Sequence, residues 1–176
     1  MKYINNLIYI ICVGLASIQM NAQRIVTDKS EVNFNISAGA IFSVDGTFTG
    51  MQGDFNFDET DIQNSNFDIC INSKSIDTDN AKRDKHLKSD DFFSVETYPS
   101  ICFKSVSVSK TKTGFETSGN LTLHGITKLV TIPFTFKNNT FQGEFEINRF
   151  DYNIGEDYGT FRVGETATVS IICQVI

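Results

Sequence analysis

The amino-acid sequence predicts an all-β fold of about eight short antiparallel strands, with one short helical insert around residues 79–89. Three observations carry that expectation. Segment after segment alternates apolar and polar residues with a period of two, the mark of a strand with one buried face. The runs are short and separated by breaks of hairpin length. Sixteen of the residues are Phe and none is Trp, an aromatic content that can build a large apolar interior. The 176 residues suffice for one domain and fall short of two comfortable ones.

The first twenty-odd residues read as a leader that is removed on export. Lys2 supplies a positive start, Leu7 to Ile18 an apolar stretch, and Ala22 a small residue at the cut, which gives a signal peptide over 1–22 and a mature domain over 23–176. The apolar run is well short of the ~20 residues a spanning helix needs, so stable membrane insertion is not expected. Ile11 precedes Cys12, which speaks against lipid attachment at that cysteine.

Beyond the leader, Glu31 to Ser37 alternates, with Val32, Phe34 and Ile36 on one face. Ala38-Gly39-Ala40 interrupts it. Ile41 to Asp58 divides into two strand segments around its glycines, anchored by Phe48, Phe55 and Phe57; glycine within such runs marks bulges and bends. Asn64 to Ser73 alternates again, with Phe67, Ile69 and Ile71 sharing a face and Cys70 on the other. Thr78 to Ser89 loses the period of two and is rich in helix formers, from Ala81 to Lys88. Leu87 and Phe92 are expected to pin this helix to the barrel. Pro99 belongs at a strand start.

The second half continues with strands over Ser100–Lys110, Phe115–Leu123, Thr127–Lys137 and Phe141–Ile147. His124-Gly125 and Asn138-Asn139 separate them, the latter a pair of the kind hairpin turns use. Asn148 to Gly164 reads as an irregular loop, and Glu165 to Val175 as the last strand. No repeat, linker or low-complexity segment divides the chain.

Charge narrows the function. The formal net charge is −6, and loss of Lys2 takes it to −7. An acidic chain without a basic block is a poor match to nucleic acid, or to anionic membranes by charge alone. Hydrolysis is not indicated. There is no G-x-S-x-G, and neither His86 nor His124 has a carboxylate and nucleophile at productive spacing. Metal-ligand spacings such as H-x-x-x-H, H-E-x-x-H and C-x-x-C are missing as well. No catalytic residue, metal site or resident cofactor is therefore expected. Export would leave Cys70, Cys102 and Cys173, which read as small side chains on sheet faces. A Cys70–Cys102 cross-strand bond is open, since pairing cannot be read from sequence.

The stretch from Ser73 to Phe103 is the most distinctive. It contains S-I-D-T at Ser75–Thr78, R-D-K-H-L at Arg83–Leu87, D-F-F at Asp91–Phe93 and Y-P-S-I-C-F at Tyr98–Phe103. A second block, L-T-L-H-G-I-T-K, spans Leu121–Lys128. In this order these motifs resemble the signature of the YceI-like family, exported bacterial lipid-binding proteins, over nearly all of the mature chain. The pattern of strands allows a sandwich or a barrel. The resemblance implies the barrel: lipocalin-like, up-and-down, and periplasmic or secreted.

It also implies a non-enzymatic role, sequestering a long-chain isoprenoid or quinone-type lipid in the lumen. The lumen wall would come from Phe34, Phe48, Phe55, Phe67, Ile69, Ile71, Phe103, Leu121, Leu123, Phe134, Phe141 and Phe145. Arg83, Asp84 and His86 would sit at its mouth, where a guanidinium can meet a polar lipid head. Read without the resemblance, the same phenylalanines fill a solid core, and Arg83 and Asp84 lock the helix to the barrel. An enzyme or redox partner acting on a quinone-like lipid, and a filled-core interaction barrel, are the competing functions. A homodimer through an exposed strand or loop is left open.

Overall fold

The computed structural model describes residues 23–176; the expected leader lies outside them. Nine strands and one helix are present among the described residues. The strands are β1 (Glu31–Ala38), β2 (Phe42–Phe48), β3 (Gln52–Asn56), β4 (Asn66–Asn72), β5 (Ser100–Lys110), β6 (Phe115–Leu123), β7 (Ile126–Lys137), β8 (Thr140–Asn148) and β9 (Thr166–Gln174), with α1 at Ala81–Leu87 between β4 and β5. All neighbours are antiparallel, in the order β2-β1-β9-β8-β7-β6-β5-β4-β3.

Expected and observed strand counts differ for a physical reason. β2 and β3 stand at opposite ends of the sheet order, run in the same sense and are separated only by Thr49, Gly50 and Met51. They are two halves of one bent strand: the first pairs with β1 and the second with β4. The curled sheet thus has eight strand positions and nine hydrogen-bonded segments. Gly50, at φ +77°, allows the bend. The polar groups exposed there are met locally. Asn72 N–H donates to Thr49 O at 3.2 Å, Ser75 Oγ accepts from Thr49 N–H at 2.8 Å, and Thr27 Oγ1 donates to Met51 O at 3.0 Å.

Two short segments finish the seam. Gln23 to Val26 lies between the chain's last residues and β3, with bridges Ile25–Val175 and Gln23–Phe55. Asp77 pairs with Thr47 on the outer edge of β2. One end of the barrel, here the lower, carries the β5–β6 and β7–β8 turns. The upper end carries α1, the β1–β2 and β6–β7 turns, and the loop from β8 to β9. Both residues of the Asn138-Asn139 turn, and both of His124-Gly125, have positive φ, as two-residue turns between right-twisting strands require.

The Cys70–Cys102 bond is formed, between directly opposed residues of β4 and β5 whose Cα atoms are 4.1 Å apart. Closing a loop with a separation of 32 residues is worth about 3–4 kcal/mol by chain entropy. Cys173 is a buried free thiol.

Candidate functional site

The interior is divided. At the lower end Phe55, Phe57, Phe67, Phe115, Phe134, Phe136 and Phe141 pack ring on ring. Phe134 stacks on Phe141 at 4.4 Å, Phe57 meets Phe115 edge-on at 4.9 Å, and Phe55 meets Phe67 at 4.8 Å. These contacts come from the first residues of β4, β6 and β8 and the last of β3 and β7, so the rings converge by topology.

Above this floor the rings part and leave an apolar cavity of about 190 Å³. An apolar void of roughly 150 Å³ is already known to stay dry and to accept an aromatic guest. The residues expected at the lumen are almost all on its wall: Phe34 and Phe48 from β1 and β2, Phe55, Phe67, Ile69 and Ile71 from β3 and β4. Phe103, Leu121 and Leu123 line it from β5 and β6, Phe141 and Phe145 from β8. Phe134 is the exception; it is buried in the floor beneath Phe141 and does not reach the cavity.

Wall residues not singled out from sequence include Ile101, Ile147, Val169 and Ile171. They belong to alternating faces like those of the expected wall residues, and strand periodicity alone does not say which alternating face reaches the cavity. Two rings are seated by missing side chains. A Cβ on Gly46 would lie 2.3 Å from the Phe34 ring, and one on Gly119 would lie 2.5 Å from the Phe103 ring. Glycine at these positions lets the rings lie flat along the wall instead of projecting across the lumen.

Two upper segments cover the cavity. Leu87, at the end of α1, and Phe92 and Phe93 beyond it form one cover; Ile154 and Val163 of the β8–β9 loop form the other. Phe93 packs edge-on against Phe48 at 5.3 Å. α1 starts at Asn80, whose side chain accepts from Arg83 N–H at 3.0 Å, an N-cap worth about 1 kcal/mol.

The three residues expected at the mouth do different things. Arg83 Nε donates to Thr78 Oγ1 at 2.7 Å and its Nη2 to Thr78 O at 2.6 Å. Asp84 Oδ1 accepts from Thr78 N–H at 2.9 Å and from its hydroxyl at 2.5 Å. The pair clasps the segment that pairs with β2, and neither residue lines the cavity.

His86 instead joins the two covers. Its Nε2 lies 2.9 Å from Asp91 Oδ2 and 2.8 Å from Tyr158 Oη, and its ring meets Phe92 edge-on at 5.1 Å. Hydrogen bonds from His86 and then Tyr158 hold the Asp91 carboxyl below the usual carboxylate range. Partial burial and the neighbouring Asp91 push the Tyr158 phenol up.

Arg149 was not anticipated as anything but loop. It is buried, and its guanidinium donates only to main-chain carbonyls: Gly164 and Ile154 at 2.8 Å each, Val163 at 3.2 Å, and also Gly155 and Tyr158. Five donors arranged as a planar fork hold the β8–β9 loop in a closed turn against the cavity. Burial lowers the Arg149 pKa, partly offset by Glu165. Sequence offers no signal for this, because all five acceptors are backbone atoms placed by the loop's own shape.

His124-Gly125 is a turn: Nδ1 of His124 donates to Tyr152 O at 2.9 Å and its ring packs on Tyr98 at 4.8 Å. On the wall, Cys102 is held in the disulfide and the Thr117 hydroxyl donates to Ser107 O, which leaves Cys173 as the free thiol; burial pushes it up to about 11. It is thus protonated and unreactive near neutrality. Among the described residues no three His, Cys, Asp or Glu are placed to hold a metal ion, and no helix is long and apolar enough to cross a membrane.

Comparison with known proteins accords with this geometry. The YceI-like domain model matches residues 23–175. Protein YceI of Salmonella newport (strain SL254) is 38% identical, over 73% of this chain and 72% of its own. Two solved structures share the fold. BcnA of Burkholderia cenocepacia has a TM-score of 0.78 at 23% identity, covering 85% of this chain and 98% of its own. A polyisoprenoid binding domain from Saccharophagus degradans has a TM-score of 0.65 at 16% identity, covering 86% and 96%.

Proposed function

This chain belongs to the YceI-like family, and from that premise we propose that it is an exported, non-enzymatic carrier of a long-chain isoprenoid or quinone-type lipid, held in the barrel above the phenylalanine floor. The observation that carries the reading is the wall itself. It combines Ile, Leu, Val and Phe from all nine strands with two covers that are apolar on their inner sides. Such a surface offers a guest almost nothing but burial, at ~0.8 kcal/mol per CH₂. It therefore selects for chain length and girth, with little dependence on a headgroup. A polyisoprenoid meets that chemical requirement, with about 190 Å³ taking one segment of the chain and the two covers parting to admit more, and the Saccharophagus degradans neighbour is a domain that binds one. Periplasmic or secreted placement is supported by the leader-like start and by the Cys70–Cys102 bond, which persists in oxidising compartments.

Native mass spectrometry of the mature protein, after incubation with vesicles containing a polyprenol or a long-chain quinone, tests the proposal. Retention of one lipid per chain is expected. A protein that stays empty with both lipids would overturn it.

A further inference from the structure

The carrier reading leaves open how a water-insoluble chain reaches the cavity. Three of the most exposed large apolar residues stand at the upper end: Ile41 at 84%, Phe42 at 71% and Phe161 at 75% exposure. Their placement follows the cavity wall outward. Ile36 and Phe34 line the cavity, and on β1–β2 the register pairs Ile36 with Val44 and Ala38 with Phe42. Phe42 is therefore on the lumen-facing side of the hairpin, but beyond the rim.

Phe161 lies two residues before Val163, another wall residue. Its loop is tied to the same hairpin by the Gly164 N–H bond to Ser37 O at 2.7 Å. The apolar lining thus continues past the covers and ends in exposed side chains on two adjacent segments.

We propose that Ile41, Phe42 and Phe161 form a rim that dips into an uncharged bilayer surface, so that the lipid passes between membrane and cavity without crossing water. This rests on the carrier reading. Charge selects the kind of membrane. The chain is acidic, and the two segments forming the covers share that sign: residues 77–93 carry Asp77, Asp79, Asp84, Asp90 and Asp91 against Lys82, Arg83, Lys85 and Lys88, and residues 149–165 carry Asp151, Glu156, Asp157 and Glu165 against Arg149 and Arg162. An anionic surface would repel this end; a zwitterionic one leaves apolar insertion as the attraction. Arg162, beside Phe161, has a stem long enough to keep its charge at headgroup level.

The chain contains no Trp, so a single introduced one reports alone. Phe42→Trp, Phe161→Trp and, as a side-wall control, Val106→Trp (68% exposed) are each mixed with phosphatidylcholine vesicles, with and without brominated acyl chains. Blue-shifted emission and quenching by bromine are expected for the first two and not for the third, and both effects should weaken when anionic phospholipid is added. The triple variant Ile41→Ser, Phe42→Ser, Phe161→Ser should slow polyprenol transfer from vesicles at least tenfold while reaching the wild-type occupancy. Three silent reporters, or three that respond alike, overturn the rim. So does a shift that follows protein concentration without vesicles, which would make the rim a contact between two copies. If polyprenol is taken up and the reporters stay silent, the carrier reading survives and the rim does not. Responding reporters with no uptake leave the rim and remove the carrier.

Discussion

At the lower end of the barrel seven phenylalanines close on one another; at the upper end, on the same strands and with the same alternation, the side chains stand apart around a cavity. The difference lies in what occupies the opposing positions. Below, rings face rings across the barrel and meet. Above, aliphatic residues share the wall with phenylalanines, two of which lie over Gly46 and Gly119, and the centre is left to whatever the covers admit. Solid packing and hollow are therefore one alternating pattern with different side-chain lengths, and a residue's value to stability and to binding should separate along the barrel axis.

Truncation in the floor should show the largest effect. Phe134→Ala removes the ring stacked on Phe141 and should cost about 3–5 kcal/mol in urea unfolding, while the folded fraction still takes up lipid. Loss of uptake at full stability would break the comparison. Replacing both Cys70 and Cys102 by Ser should cost about 2–4 kcal/mol and leave the cavity usable, since Cys102 alone of the pair borders the wall and serine there is no larger. Reducing-agent titration of the wild type should reproduce the loss.

Enlargement sharpens the contrast. Val175→Phe, beside the floor, overpacks a site only 1% exposed and should cost about 1–3 kcal/mol. Ala167→Phe, on the wall between Ile36 and Ile147, has room to turn inward and should change stability by less than ~1 kcal/mol while displacing the guest.

The smallest expected effect concerns the latch between the covers. The folded-state pKa of Asp91 is lowered, so its stabilising contribution is complete above the unfolded value of ~3.9 and is lost as pH falls through the folded value. Asp91→Asn should hasten lipid release severalfold at neutral pH with little change in Tm. It should also abolish any acid acceleration of release that the wild type shows below about pH 4.

How much of this was legible in the sequence varies with the range of the interaction. Period-two alternation is legible in β1, β4 and most of the second half, and Asn138-Asn139 announces its turn, because both are properties of a few consecutive residues. The bent β2–β3 strand was visible only as a glycine-rich interruption, since its partners, β1 and β4, are distant in sequence. The motif around Arg83 and Asp84 allowed a lipid contact or a structural clasp; five- and six-residue spacing to Thr78 makes the clasp, which alternation cannot reveal. Whether Phe134 and Phe103 meet other rings or border a void depends on the barrel's width at their level. Arg149 could not have been found, because its partners are carbonyls.

The central claim is that the upper interior is a place for a guest. Native mass spectrometry of wild type beside Ala167→Phe, both exposed to the same polyprenol vesicles, tests it most directly. The account predicts one lipid on the wild type and none on the variant, with both proteins folded. An empty wild type, or equal occupancy of the two, would contradict it.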